Sequence, residues 1–267
     1  MLEHGGNLRD AVKQFGRPLE DWVDVSTGIN PHYYPAPVLA ANAWHRLPEY
    51  SDDLQHAAQA YYRAPHMLAV AGTQAAIQAL PYLFLRQHGG PDTAATNVRV
   101  AVSAPSYAEH AYQWRRAGTS VSEYLYADLE NAIAQSDVVV LCNPNNPTGE
   151  RIAPATLLRW AATLAPRGGW LIVDEAFGDT EPELSVAAES QRPGLIVLRS
   201  VGKFFGLAGI RLGFVAAAED LLHALANQLG PWSISGPAQQ IAIAALRDHA
   251  WQQATQARLA TLGERLR

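Results

Sequence analysis

Lys203 lies among small residues in Ser200-Val-Gly-Lys-Phe-Phe-Gly-Leu-Ala-Gly-Ile-Arg211, directly after the aliphatic run Leu195–Leu198. A primary amine placed where a strand opens into a loop can form an imine with a carbonyl compound. Ser200 before it and Arg211 after it supply a hydroxyl and a guanidinium, which together suit one phosphate. Gly202, Gly206 and Gly209 permit close backbone approach. Other polar residues stand at equivalent places, each closing an apolar run: Thr73 after Leu68-Ala-Val-Ala-Gly, Asn146 in Asn143-Pro-Asn-Asn-Pro-Thr-Gly149, and Asp174 after Trp170-Leu-Ile-Val. A helix that opens at Thr73 offers free N–H groups and a positive dipole end to an anion. Each residue alone also fits a plain role: a solvated lysine, a threonine cap, a satisfied strand-end carboxylate.

Taken together, one lysine, one isolated acid and a phosphate-binding set point to pyridoxal phosphate, with Lys203 holding the aldehyde. Asp174 would pair with the protonated ring nitrogen and keep the ring an electron sink. At an effective dielectric of about 20 and a separation of about 4 Å, that pair is worth about 4 kcal/mol before desolvation. Other phosphate chemistries fail on spacing. Phe204 follows Gly202-Lys203 where a P-loop needs Ser or Thr, and no Gly-x-Gly-x-x-Gly opens a helix after a strand. His45, His56, His66 and His88 are scattered, so no metal site is expected.

The elements that must carry these residues alternate. Strands are expected over Val98–Val102, Val121–Tyr126, Val138–Cys142, Trp170–Val173, Leu195–Leu198 and Leu212–Ala216. Helices are expected over Asp52–Tyr62, from Thr73 to about His88, and over Ser106–Ala117, Leu129–Ala134, Ala155–Leu164 and Asp220–Leu229, followed by one long helix from Pro237 to the end. Strands alternating with helices on short connections predict an α/β fold with a mostly parallel sheet, covered by helices on both faces.

The composition agrees. With 267 residues, 48% hydrophobic and 17% charged, the chain can bury a large core. A formal charge of −5 with no basic patch argues against nucleic acid or an anionic membrane as partner. No run is long and apolar enough to span a bilayer, and the opening has no secretory core. Cys142 is the only cysteine, which fits a reducing cytoplasm.

The motifs Asn143–Gly149, Asp174-Glu-Ala-Phe177 and Ser200-x-x-Lys203 running on to Arg211 resemble the aminotransferase-like fold-type I family of pyridoxal phosphate enzymes. The resemblance implies Lys203 as the Schiff-base lysine, Asp174 at the ring nitrogen and Asn146 at the ring hydroxyl. It implies Gly72, Thr73, Gln74, Ser200 and Arg211 at the phosphate, and Tyr107 stacked on the ring. Within that family, His4-Gly-Gly-Asn7, Asp24-Val-Ser-Thr-Gly-Ile-Asn-Pro31 and Pro231-Trp-Ser-Ile-Ser235 are similar to the branch that decarboxylates L-threonine O-3-phosphate in cobalamin biosynthesis. For that branch the resemblance implies His4, Gly5 and Asn30 at the substrate phosphate, and a homodimer.

The expected organisation is a substrate-contacting segment over 1–35, a cofactor-binding large domain over 36–235, and a helix over 236–267 leading toward a small C-terminal domain that this chain lacks. Phe177 stands where many aminotransferases have a tyrosine. Two other readings share the motifs: a histidinol-phosphate-type aminotransferase, which breaks Cα–H instead, and a truncated, non-catalytic cofactor-binding relative.

Overall fold

The computed structural model describes residues 5–88 and 97–266. His4 lies outside the described residues. A short helix α1 (Leu8–Phe15), capped by the Asn7 side chain, is followed by extended chain and then α2 (Asp52–Tyr62), capped by Ser51. The α/β body runs β1 (Met67–Val70), α3 (Thr73–His88), β2 (Arg99–Ser103), α4 (Glu109–Arg116), β3 (Ser120–Tyr124), α5 (Leu129–Ala132), β4 (Val138–Cys142), α6 (Pro154–Leu164), β5 (Trp170–Asp174), β6 (Leu195–Ser200) and β7 (Gly213–Ala216). Helices α7 (Glu219–Leu229), α8 (Gly236–Arg247) and α9 (His249–Glu264) complete it.

The seven strands form one sheet in the order β1-β7-β6-β5-β4-β2-β3. β7 pairs antiparallel with both β1 and β6, and the other pairs are parallel. Every residue of β4, β5 and β6 is buried, which is why up to Asp174 on β5 and Arg199 on β6 these strands read as apolar runs instead of alternating ones. Alternation still sorts their side chains between two cores. Val139, Leu141, Leu171, Val173, Leu195 and Val197 face one, and Val138, Val140, Trp170, Ile172, Ile196 and Leu198 face the other. Each such aliphatic side chain contributes about 1.5–3 kcal/mol by leaving water.

The single long helix expected from Pro237 is two helices. Asp248 takes φ −87° and ψ 77°, and its side chain accepts a hydrogen bond from Trp251 N. That cap ends α8 and starts α9, because an aspartate bonded to its own downstream backbone competes with helix continuation. The reversal of β7 brings residues that precede it to the same sheet edge as residues that follow β1, β4, β5 and β6. Gly72, Asn146, Asp174, Lys203 and Arg211 are therefore all carried on one rim.

Candidate active site

One cavity of about 140 Å³ at that rim is lined by Gly72, Thr73, Gln74, Tyr107, Asn146, Asp174, Phe177, Ser200, Lys203 and Arg211, among others. It holds every residue expected to hold the cofactor. At one end lies an anion cradle. Thr73 opens α3 with its backbone N–H groups free of the helix ladder. Arg211 adopts φ 54° and ψ 54°, uncommon for a non-glycine residue, and its Nη1 donates to Ala208 O at 3.0 Å. Gly72, at φ +70°, is where a side chain is forbidden: a Cβ there would lie 2.5 Å from Arg211 Nη2. Ser200 Oγ accepts from Gly202 N at 3.1 Å, which curls the loop after β6 toward the same point.

At the other end is Asp174, 4% exposed. Its Oδ1 accepts from Ala176 N at 3.0 Å, and its Oδ2 is 2.9 Å from His110 Nε2. His110, on α4, is equally buried. Burial opposes a charge on its ring, but the hydrogen bonds to Asp174 and Cys142 outweigh it and raise its pKa to about 10. The ligand atoms of His110, Cys142 and Asp174 lie within 4.8 Å of one another. Sequence reasoning missed His110. A signal was present, since it is the histidine in the helix after the β2 strand end, but nothing local ties it to Asp174.

Lys203 stands between the two ends. Burial lowers its pKa, Arg211 lowers it further, and Asp174 opposes both. The amine therefore sheds its proton more readily than a solvated lysine, as a nucleophile or proton carrier must. Its Nζ lies 5.2 Å from the centroid of the Phe177 ring. That ring is wedged in turn against Gly28, where a Cβ would come within 2.8 Å of it.

Asn146 lines the cavity because its neighbours hold the loop. Asn143 Oδ1 accepts from Ile152 N at 2.9 Å and from Tyr126 Oη at 3.0 Å. Asn145 Nδ2 donates to Pro105 O and to Thr148 Oγ1 at 3.0 and 2.8 Å, while its Oδ1 accepts from Ser106 Oγ at 2.8 Å. Gln74 and Tyr107 are coupled: Gln74 Nε2 donates to Glu109 Oε2 at 2.6 Å, and Tyr107 Oη donates to Gln74 Oε1 at 3.4 Å. Gln74's side-chain amide is thus engaged from the α4 side.

A second cavity of about 470 Å³ shares Asn146, Phe177 and Lys203 with the first and is also lined by Gly28, Asn30, Arg151 and Thr180. Asn30 is buried, with Nδ2 donating to Phe204 O at 2.9 Å and its backbone N donating to Lys203 O at 3.1 Å. It latches the N-terminal segment onto the lysine loop. Gly5 is not brought to either cavity. It is exposed and packs on Ser26, whose carbonyl a Cβ on Gly5 would strike.

A carboxylate at one end, an amine of depressed pKa in the middle and an anion cradle at the other fit pyridoxal phosphate, which carries a ring nitrogen, an aldehyde and a phosphate in that order. The aminotransferase class I and II family model matches residues 8–267. The chain is 52% identical to a threonine-phosphate decarboxylase of Pseudomonas aeruginosa over 100% of its own length and 77% of the relative's. It is 47% identical to one of Sinorhizobium sp over 92% of its length and 72% of the relative's. The crystal structure of a histidinol-phosphate aminotransferase from Sinorhizobium meliloti, in complex with pyridoxal-5'-phosphate, superimposes with a TM-score of 0.68 over 82% of this chain and 61% of that chain, at 23% identity. The family match over residues 8–267 and the high identity to those relatives leave one assignment: the chain belongs to the aminotransferase class I and II family.

Proposed function

We propose that the protein is a pyridoxal phosphate-dependent decarboxylase of L-threonine O-3-phosphate, acting in cobalamin biosynthesis and yielding (R)-1-amino-2-propanol O-2-phosphate. The observation that carries this reading is the 52% identity to a threonine-phosphate decarboxylase along the entire chain. The aminotransferase structure, at 23% identity, shares the fold alone.

When bound, pyridoxal phosphate supplies a conjugated ring that accepts the electron pair left as the Cα–carboxylate bond breaks. Asp174, braced by His110, holds negative charge at the ring-nitrogen end. Thr73, Ser200 and Arg211 anchor the phosphate end, with the backbone of Gly72 and Gln74 beside them. Asn146 would bond the ring hydroxyl and Tyr107 would stack on the ring face, both from the wall of the same cavity. Lys203 is the residue that binds the aldehyde. Once carbon dioxide has left, its Nζ would return one proton to Cα. The 470 Å³ cavity beside Lys203 is the substrate chamber, with Asn30 in its wall.

A homodimer is part of the same reading. Leu47, Tyr50 and Trp232 are 66, 67 and 62% exposed around an apolar cavity of about 600 Å³, a surface of the kind proteins cover with a partner. Among the described residues no helix is long and apolar enough to cross a membrane, and the buried thiol of Cys142 suits a reducing cytoplasm.

The test is the visible absorbance of the purified chain with pyridoxal phosphate, titrated with L-threonine O-3-phosphate while carbon dioxide is followed. A band that needs Lys203, absent in Lys203→Ala, together with carbon dioxide release, is the expected outcome. Amino transfer to a keto acid in place of carbon dioxide release would overturn the decarboxylase.

A further inference from the structure

Arg199 precedes Ser200 on β6 and is 2% exposed, yet it lines neither of the cavities described above. Strand alternation turns it away from Ser200 to the opposite face of the sheet, as Glu175 is turned away from Asp174 on neighbouring β5. There its Nη1 donates to Glu175 Oε2 at 2.6 Å and its Nη2 donates to Asp179 Oδ1 at 3.0 Å. Both carboxylates are 1% exposed. The Tyr62 ring lies 4.5 Å from the guanidinium carbon, and Glu175 Oε1 is braced separately by Val186 N at 2.8 Å.

The guanidinium thus joins two strand ends and the far side of one loop. Glu175 follows Asp174 directly, and Asp179 lies beyond Phe177, whose ring faces Lys203. Gly178, between the two anchors on the Asp179 side, passes so close that a Cβ there would lie 2.7 Å from Arg199 Nη1. On the other strand, Arg199 is followed by Ser200 and the loop that carries Lys203. One planar fork holds both carboxylates, which a single ammonium on a lysine cannot match in geometry.

We propose that Arg199 is a positioning residue for the decarboxylation: by clamping Glu175 and Asp179 it sets the spacing of Asp174 and Phe177 relative to Lys203. The inference rests on the cavity of Lys203 being the reaction site. A displacement of about 1 Å at reacting groups can lower a rate on the order of 100-fold, so a loosened clamp registers in turnover before it registers in substrate binding.

Two variants test it. Arg199→Lys keeps the charge and removes the fork, and Gly178→Ala keeps Arg199 and pushes its guanidinium aside. For each, the thermal midpoint, the cofactor dissociation constant without substrate, the pH midpoint of the visible band, and kcat and KM are measured. In a folded Arg199→Lys protein we expect kcat to fall roughly 10- to 100-fold with KM within about threefold, on the scale of misplaced reacting groups. The cofactor should bind more weakly and the band midpoint should shift, and Gly178→Ala should move the same quantities in the same direction. Parent kcat with an unshifted band in either folded variant would overturn the proposal. So would failure of both to fold, which would assign the guanidinium to stability alone. If the parent binds cofactor but releases no carbon dioxide, the decarboxylase reading fails while the cofactor affinity and band midpoint still report on Arg199.

Discussion

His110 gives the site a proton that burial alone would remove. Its folded pKa of about 10 lies above the 6.5 of a free imidazole, so the charged form is favoured in the native state. A raised pKa contributes stability that is complete below pH 6.5 and is lost as pH climbs through about 10. We therefore expect the urea midpoint of the cofactor-free protein to fall across that interval, and to fall less steeply in His110→Gln. Parallel slopes for the two proteins would show that the His110–Asp174 pair is not the titrating link. Replacing His110 should also weaken cofactor binding, because Asp174 would lose the partner at 2.9 Å that orients its carboxylate. Asp174 and Lys203 could be singled out from their positions after apolar runs, and Arg211 from its place beyond Lys203 in the same glycine-rich stretch. His110 could not, because its partner Asp174 lies 64 residues further along the chain, and their bond leaves no mark on local spacing.

At the scale of elements, the chemistry depends on loops that are rigid for stated reasons. The Asn143–Gly149 segment follows a fully buried strand, and its backbone polar groups need partners once β4 ends. Asn143 supplies one by accepting from Ile152 N and donating Nδ2 to Ile152 O at 3.1 Å. Asn143→Ala would leave both groups of Ile152 without those partners. We expect a loss of about 2–3 kcal/mol in chemical denaturation, with a weaker cofactor complex because Asn146 would no longer be held at the cavity wall. An unchanged denaturation midpoint would mean that water replaces both bonds. The strands of this scaffold were readable almost to the residue, since β4, β5 and β6 are buried on both faces and so apolar along their length up to the strand ends at Asp174 and Arg199. The final helices were not separated, because no proline or glycine stands at Arg247-Asp248-His249, and the break shows in the Asp248 backbone angles and in its side-chain bond to Trp251 N.

For the whole molecule, the proposed homodimer would be closed over the apolar surface around Tyr50 and Trp232. A dimer of twice the 28.9 kDa chain is the species we expect by sedimentation at micromolar concentration. Trp232→Glu, which puts a charge in the middle of that surface, should shift it toward monomer. A parent that sediments as a monomer would remove the homodimer from the proposed function. The same surface lies beside Phe214 and Met67 at the β1–β7 edge of the sheet, so closing it would also shield the outermost pairing of the fold.

The chain by itself determined which residues close the strands and what chemistry they can do. Residue type and apolar run length are local properties, and buried parallel strands write both plainly in sequence. Tertiary structure decided the rest. It reversed β7 and so brought Arg211 to the rim that carries Thr73 and Asp174, it set His110 against Asp174, and it hid Arg199 beneath the site between two carboxylates. Those outcomes depend on strand order and on pairings between distant segments, whose free energy comes from burial that no short window of sequence contains.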